Sequence, residues 1–134
     1  MTGNSFNVNE KSFQVLVVDD NVINLRLMAA TLTRLGHQVE SASDGAASVI
    51  KFSAKHYDVI LMDIMMPIMD GIDATREIRK LEMERQTKPE DRVKIIAVTA
   101  NAFEDDRNRL FEAGMDYYMN KPIEVNELQR LLSL

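Results

Sequence analysis

The sequence predicts a doubly wound α/β domain built on a five-stranded parallel sheet. Short apolar, β-branched segments alternate five times with segments whose apolar residues recur at helical spacing. No internal repeat and no Cys/His cluster interrupts this alternation. Such alternation is typical of a parallel sheet covered by helices on both faces. A chain of 134 residues is long enough to bury one core of this kind without disulfides.

The first half of the chain supplies three strands and two helices. Strands are predicted over residues 14–18, 37–42 and 57–63, and the third is apolar throughout Val59–Met62, as expected of a strand buried on both faces. Helix one, over residues 21–35, carries apolar residues at helical spacing, and Gly36 is expected to end it in the left-handed conformation. Those apolar residues are Ile23, Leu27, Met28, Leu32 and Leu35. Helix two follows Asp44-Gly45 and ends near Lys55, with three residues expected to face inward: Ala47, Ile50 and Ala54.

The second half supplies two more strands, over residues 93–98 and 115–119, and three helices. Helix three covers about 71–83, helix four about 103–113 and helix five begins at 124; a charged loop interrupted by Pro89 follows helix three. The apolar residues expected to face inward on these helices are Ile72, Ile78 and Leu81, then Phe103, Leu110 and Phe111, then Val125, Leu128 and Leu132. Residues 1–12 are rich in Asn and Ser and read as a flexible leader, which leaves residues 13–134 as one domain.

Composition excludes several classes of function. A net charge of −5 and a pI of about 5.0 argue against nucleic acid as a direct partner. No apolar run approaches the roughly 18 residues that span a bilayer, and the polar start has no apolar signal core. The absence of cysteine fits a reducing compartment. We therefore expect a soluble, cytoplasmic domain without direct membrane contact.

Polar side chains stand where four of the predicted strands end. Asp19 and Asp20 follow the first strand, Asp63 the third, Thr99 the fourth and Lys121 the fifth. Each has an ordinary interpretation by itself, such as helix capping for an Asp or a solvated charge for the Lys. In a parallel sheet, however, the carboxyl ends of all strands open on the same edge, where such folds bind ligands. Convergence there favours a functional site.

The chemistry of this set of residues points to a divalent cation and a phosphoryl group. Three close carboxylates repel one another unless a cation is present. Oxygen ligands without His or Cys suit Mg²⁺, which commonly joins carboxylates to phosphate. Asp63, at the end of the central strand, is the natural nucleophile. Lys121 and Thr99 supply a positive charge and a hydroxyl donor for phosphoryl oxygens.

Four motifs carry a family resemblance: VVDDN at Val17–Asn21, LMDIMMPIMDG at Leu61–Gly71, VTA at Val98–Ala100 and NKPI at Asn120–Ile123. Together they resemble a response-regulator receiver domain over about residues 14–134. The resemblance implies a flavodoxin-like (βα)5 fold with strand order 2-1-3-4-5. It also implies that Asp63 accepts a phosphoryl group from a phosphohistidine.

The resemblance further assigns the supporting residues. It implies that Mg²⁺ is bound by Asp20, Asp63 and the backbone carbonyl of Met65, with Asp19 acting through water. Thr99 and Tyr118 match the family's switch residues, which would change the surface formed by helix four, strand five and helix five. A cis Lys121-Pro122 peptide is expected on the same grounds.

Three further stretches resemble receivers of hybrid histidine kinases and phosphorelays: Asp19–Asn24, Asn101-Ala102 and Glu112–Asp116. After Lys121 only 13 residues remain, enough for one helix, so we expect either a stand-alone receiver or a piece of a larger kinase. The expected partner is a histidine kinase or a histidine-phosphotransfer helical bundle. We expect it to dock on Asn21, Val22, Asn24, Met65, Pro122 and Ile123, with the domain itself a monomer or weak dimer.

Two other functions compete with a receiver. An Mg²⁺-dependent aspartyl-phosphate hydrolase would place a second Asp two residues after the nucleophile, where this chain has Met65, which cannot transfer protons. We therefore expect slow self-dephosphorylation rather than turnover. A receiver-like binding module that is never phosphorylated is disfavoured because every key side chain is present.

Overall fold

The computed structural model describes residues 11–100 and 107–134, and within them one parallel sheet organises the chain. Its strands are β1 Gln14–Val18, β2 Gln38–Ala42, β3 Val59–Asp63, β4 Lys94–Thr99 and β5 Tyr117–Asn120. The order is β2-β1-β3-β4-β5 with every neighbouring pair parallel, which confirms the predicted order 2-1-3-4-5. The chain therefore changes its direction of winding between β1 and β3, where open α/β sheets bind their ligands.

In the part of the chain that the structure describes, five helices cover the sheet: α1 Val22–Arg34, α2 Gly45–Ala54, α3 Gly71–Glu84, α4, described over Arg107–Ala113, and α5 Val125–Leu132. A short 3₁₀ turn, Pro89–Asp91, lies in the predicted charged loop. Gly36 and Gly114 follow α1 and α4 with φ of 96° and 112°, and the left-handed conformation of Gly36 confirms its predicted role as the stop of helix one. The leader, Asn101-Ala102 and the start of helix four at Phe103 fall wholly or mostly outside the described residues. No described helix has the length and apolar character needed to cross a bilayer.

Two separate cores lie on the two faces of the sheet. Leu16 and Val18 of β1 point to the side covered by α2, α3 and α4, whereas Val15 and Val17 point to the side covered by α1 and α5. The residues of β3 alternate in the same way. Both faces of the central strands are thus buried, which is why β3 is apolar at every position before Asp63.

Several residues predicted to face inward are exposed instead. Ile23 and Leu27 of α1 are 69% and 62% exposed, because the helix packs through Met28 and Leu32. Ile50 of α2 is 68% exposed and Ala54 is also exposed, because α2 packs through Ser48 and Phe52. Phe111, Val125 and Leu35 are likewise at least partly exposed. Helical spacing predicted these helices correctly but placed several of their exposed residues in the core.

A buried ionic cluster at the amino-terminal edge of the sheet was not predicted. The guanidinium of Arg79 donates to Glu82 at 2.7 Å, to Asp116 at 2.8 Å and to the carbonyls of Gly114 and Val93 at 2.9 and 2.7 Å. Glu82, only 4% exposed, also accepts the Val93 N–H at 2.7 Å. These bonds join α3 to the start of β4 and to the turn after α4.

Candidate functional site

The sheet register brings the predicted site residues to one edge. Val18 pairs with Met62, so the residues that follow them, at the ends of β1 and β3, come out side by side. Asp63 pairs with Val98 and Thr99 with Asn120, the neighbour of Lys121. Asp19, Asp63 and Thr99 are 0%, 4% and 3% exposed, whereas Asp20 is open to solvent. The predicted convergence of these side chains is therefore confirmed.

Three carboxylates meet at this edge, and one lysine contacts two of them. Oxygen atoms of Asp19, Asp20 and Asp63 all lie within 4.8 Å of one another. The ammonium of Lys121 is 3.2 Å from Asp19 Oδ2 and 3.3 Å from Asp63 Oδ1. The Lys121-Pro122 peptide is cis, as predicted. Burial works against the charged ammonium, but the attraction of Asp63 and Asp19 outweighs it and raises the pKa of Lys121.

Asp63 is an acid whose charged form is disfavoured. Burial, followed by repulsion from Asp19, raises its pKa from 3.8 to about 6, although Lys121 and the backbone N–H of Met65 oppose the rise. A single lysine therefore leaves the negative charge of this cluster incompletely neutralised. Such a site favours the arrival of a further cation.

The loop after β3 is shaped by close backbone approaches. A Cβ on Gly71 would lie 2.1 Å from the backbone oxygen of Asp63, so only glycine fits where α3 begins. The N–H of Gly71 donates to the carbonyl of Ile64 at 3.1 Å, and Asp70 caps α3 by accepting the Asp73 N–H. The loop residue Met65 stays 74% exposed at the rim of the site.

The two predicted switch residues lie in different surroundings. Thr99 is buried at the end of β4, at the same edge as the acids. Tyr118 is half-buried on β5, where it packs against the core on the α4 side. Its ring lies 6.4 Å from that of Phe111, and the guanidinium of Arg107 lies 5.2 Å from its centroid. The aromatic ring therefore touches α4 directly.

The residues predicted for docking surround the acids but differ in exposure. Val22 is 56% exposed, Met65 74%, and Asn21 and Pro122 are also open, whereas Asn24 and Ile123 are half-buried. The exposed Ile23 and Leu27 extend this apolar surface along α1 and were missed by the sequence analysis. A cavity of about 180 Å³ lies between α1 and α5, with Leu27 and Ile123 in its wall. The sequence signal that could have predicted this extension is the pair of apolar residues, Ile23 and Leu27, that comes after Val22 and the helix-capping Asn21.

The fold and the acidic cleft define the class of protein: a doubly wound α/β domain with clustered carboxylates at its switch point. The chain belongs to the response regulator receiver domain family, whose family model matches residues 15–133. It is 42% identical over 122 residues to hybrid signal transduction histidine kinase L of Dictyostelium discoideum, and 40% identical over 120 residues to sensor histidine kinase RcsC of Escherichia coli. These alignments cover 89% and 90% of this chain but only 7% and 12% of the relatives.

Solved structures agree with this assignment. The receiver domain of sensor histidine kinase PA1611 from Pseudomonas aeruginosa, with a magnesium ion coordinated in its active-site cleft, matches with a TM-score of 0.80 and 42% identity over 92% of this chain and 96% of that one. The receiver domain of Ssk1 from Saccharomyces cerevisiae, crystallised with the phosphotransfer protein Ypd1, matches with a TM-score of 0.83 and 26% identity over 91% and 87%. The chain is thus a receiver domain of the two-component signalling class, as its motifs predicted.

Proposed function

We propose that this domain accepts a phosphoryl group on Asp63 from a phosphohistidine, in a reaction that depends on Mg²⁺. The observation that carries the proposal is the meeting of Asp19, Asp20 and Asp63 within 4.8 Å, with Lys121 between two of them. The residues fit a hard divalent cation, because they offer only oxygen ligands and carry more negative charge than one lysine balances. Asp20, Asp63 and the carbonyl of Met65 would hold the ion, with Asp19 acting through water. Once bound, Mg²⁺ supplies charge neutralisation for phosphoryl oxygens.

The side chains of this domain have distinct parts in the transfer. A carboxylate oxygen of Asp63 attacks phosphorus, the new P–O bond forms, and the P–N bond breaks with its electron pair returning to the imidazole. Lys121 offsets negative charge on the phosphoryl oxygens, and the Thr99 hydroxyl donates to one of them. Met65 offers no proton-transfer group beside Asp63, so self-dephosphorylation is expected to be slow.

We further propose that Thr99 and Tyr118 carry the signal to the surface formed by α4, β5 and α5. Thr99 would follow the new phosphoryl oxygen, and Tyr118 would turn into the space that it leaves. The contacts of Tyr118 with Phe111 and Arg107 of α4 support this role, because any rotation of the ring changes them. Two packings that differ by a few kcal/mol are sufficient for such a switch.

The proposed partner is a histidine kinase or a histidine-phosphotransfer helical bundle that docks over the acidic edge. Val22, Ile23 and Leu27 are exposed apolar residues on α1, and Met65 and Pro122 are exposed on the loops that follow β3 and β5. An apolar centre with a polar rim suits a transient interface. The expected cytoplasmic location and the monomeric or weakly dimeric state stay predictions.

Labelling with a small phosphodonor tests the acceptor. Acetyl phosphate and Mg²⁺ should add one phosphoryl group, detected by intact-protein mass spectrometry, and Asp63→Asn should remove it. Persistent labelling of that variant would contradict the assignment.

Calorimetric titration should show that Asp20→Asn weakens Mg²⁺ binding at least as strongly as Asp19→Asn, because a direct carboxylate ligand loses more on neutralisation. Unchanged affinity in the Asp20 variant would count against the proposed ligands.

A further inference from the structure

The carboxylate of Asp19 is held by more donors than Lys121 alone. It is completely buried, and its Oδ1 accepts the backbone N–H of Asn21 at 2.9 Å. Its Oδ2 accepts the ammonium of Lys121 at 3.2 Å and the side-chain amide of Asn24 at 3.4 Å. A buried charge of this kind is costly unless its hydrogen bonds are made. Asn24 is therefore part of what holds the carboxylate of Asp19 in position.

Lys121 faces competing demands in the proposed reaction. Its ammonium is shared almost equally between Asp19 and Asp63, at 3.2 and 3.3 Å. A phosphoryl group on Asp63 needs this ammonium, and its movement would leave Asp19 with fewer donors. The donors from Asn21 and Asn24 remain in place when that happens, because both belong to the loop and first turn of α1.

We propose that Asn24 is a positioning residue for phosphoryl acceptance. Its amide holds the carboxylate of Asp19 and so leaves Lys121 available to a phosphoryl group on Asp63. The inference rests on the proposed function of Asp63 and adds to it. It gives Asn24 a role separate from partner docking, in agreement with its half-buried side chain and its contact with Asp19.

The test compares Asn24→Ala with Asn24→Gln, which keeps an amide donor, and with Arg26→Gln, an exposed control on the same helix. Alanine favours helix and leaves the Asn21 cap on the backbone N–H of residue 24, so the fold is retained. Asn24→Ala should slow labelling by acetyl phosphate about tenfold and weaken Mg²⁺ binding, since loss of an outer-shell partner costs about that much. The glutamine variant should recover much of both, and the control should match the wild type. Because the chain has no tryptophan, Mg²⁺ affinity is measured by calorimetry.

A double-variant cycle then shows whether Asn24 acts through Asp19. On an Asp19→Asn background, Asn24→Ala should cause little further loss in labelling rate. Additive losses would overturn the proposal. An Asn24→Ala variant that slows only transfer from a phosphohistidine partner would also overturn it, because that result identifies a docking residue. A variant that changes neither the labelling rate nor the Mg²⁺ affinity would overturn it as well. If the wild type is itself not labelled at Asp63, the proposed function fails rather than the inference about Asn24.

Discussion

Replacing Asp63 with asparagine should stabilise the metal-free domain. The substitution keeps the shape of the side chain and removes a charge from a residue that is 4% exposed. Burial and the neighbouring Asp19 raise the pKa of Asp63 from 3.8 to about 6, which shows that the folded state disfavours its charged form. A rise of this size corresponds to about 3 kcal/mol as an upper limit, because one pH unit is worth about 1.4 kcal/mol.

The pH dependence follows from the direction of the shift. Because the folded protein holds the Asp63 proton more tightly than the unfolded chain, the contribution of this group favours folding at low pH. That contribution is lost as pH rises from about 4 to about 6. The Asp63→Asn variant has no ionisable side chain at this position, so this pH dependence is absent from it. The variant and the wild type should therefore have similar stability at about pH 4 and differ most above about pH 6.

Urea unfolding in EDTA measures the effect. At about pH 7.5 we expect Asp63→Asn to be more stable by about 1 to 3 kcal/mol, or several degrees in melting temperature. Asp91→Asn, an exposed carboxylate in the 3₁₀ turn, is the matched control and should change little. Excess Mg²⁺ should narrow the gap by stabilising the wild type. A variant no more stable than the wild type in EDTA at that pH would refute the reasoning.

Three more predictions follow. Val22→Glu should slow transfer from a phosphohistidine partner about tenfold, or about 1.4 kcal/mol. Ile50→Glu, which changes another exposed apolar residue, on α2, should not slow it, and equal slowing by both would refute the docking surface. Glu82→Ala should destabilise the fold by about 1 to 3 kcal/mol in urea unfolding, since the buried Val93 N–H loses its acceptor and Arg79 keeps one carboxylate partner, Asp116, instead of two. No measurable loss would refute that. His37 accepts the Phe13 N–H through Nδ1, and burial lowers its pKa, so its contribution to stability is lost as pH falls below 6.5. His37→Gln should flatten the pH dependence of the urea midpoint below 6.5. An unchanged pH dependence would contradict the prediction.

The acidic edge could be predicted from sequence because it depends on one topological rule. Asp63 and Thr99 end recognisable strands, Asp19 and Lys121 directly follow two others, and parallel strands end at a common edge. No distance between them was needed to predict that they meet. The sharing of Lys121 between two carboxylates, by contrast, depends on side-chain positions that no local pattern specifies.

The wrong and missed predictions from the sequence have two physical causes. Ile23, Leu27 and Ile50 were assigned to the core because an apolar residue at helical spacing indicates burial without saying what buries it. On α1, the proposed docking partner would cover Ile23 and Leu27. Arg79 and Glu82 form a local pair three residues apart on α3, but their burial was missed because their other partners lie far away in sequence, at residues 93, 114 and 116. A charged helix face gives no local sign of these distant partners.

The two ends of the sheet show why one ionic cluster is a functional site and the other a structural one. At the amino-terminal edge, two arginines face two carboxylates. Arg79 contacts Glu82 and Asp116, and Arg92 Nε lies 3.6 Å from Glu82, so the charges there are matched by fixed partners. At the carboxyl-terminal edge, three carboxylates cluster and only two of them, Asp19 and Asp63, contact Lys121. Burial, followed by repulsion from Asp19, raises the pKa of Asp63 there. A matched cluster has little to gain from a ligand, whereas an unmatched one binds a cation or a proton. The excess of negative charge at the end of β3 is therefore the feature that turns this edge into a candidate acceptor site.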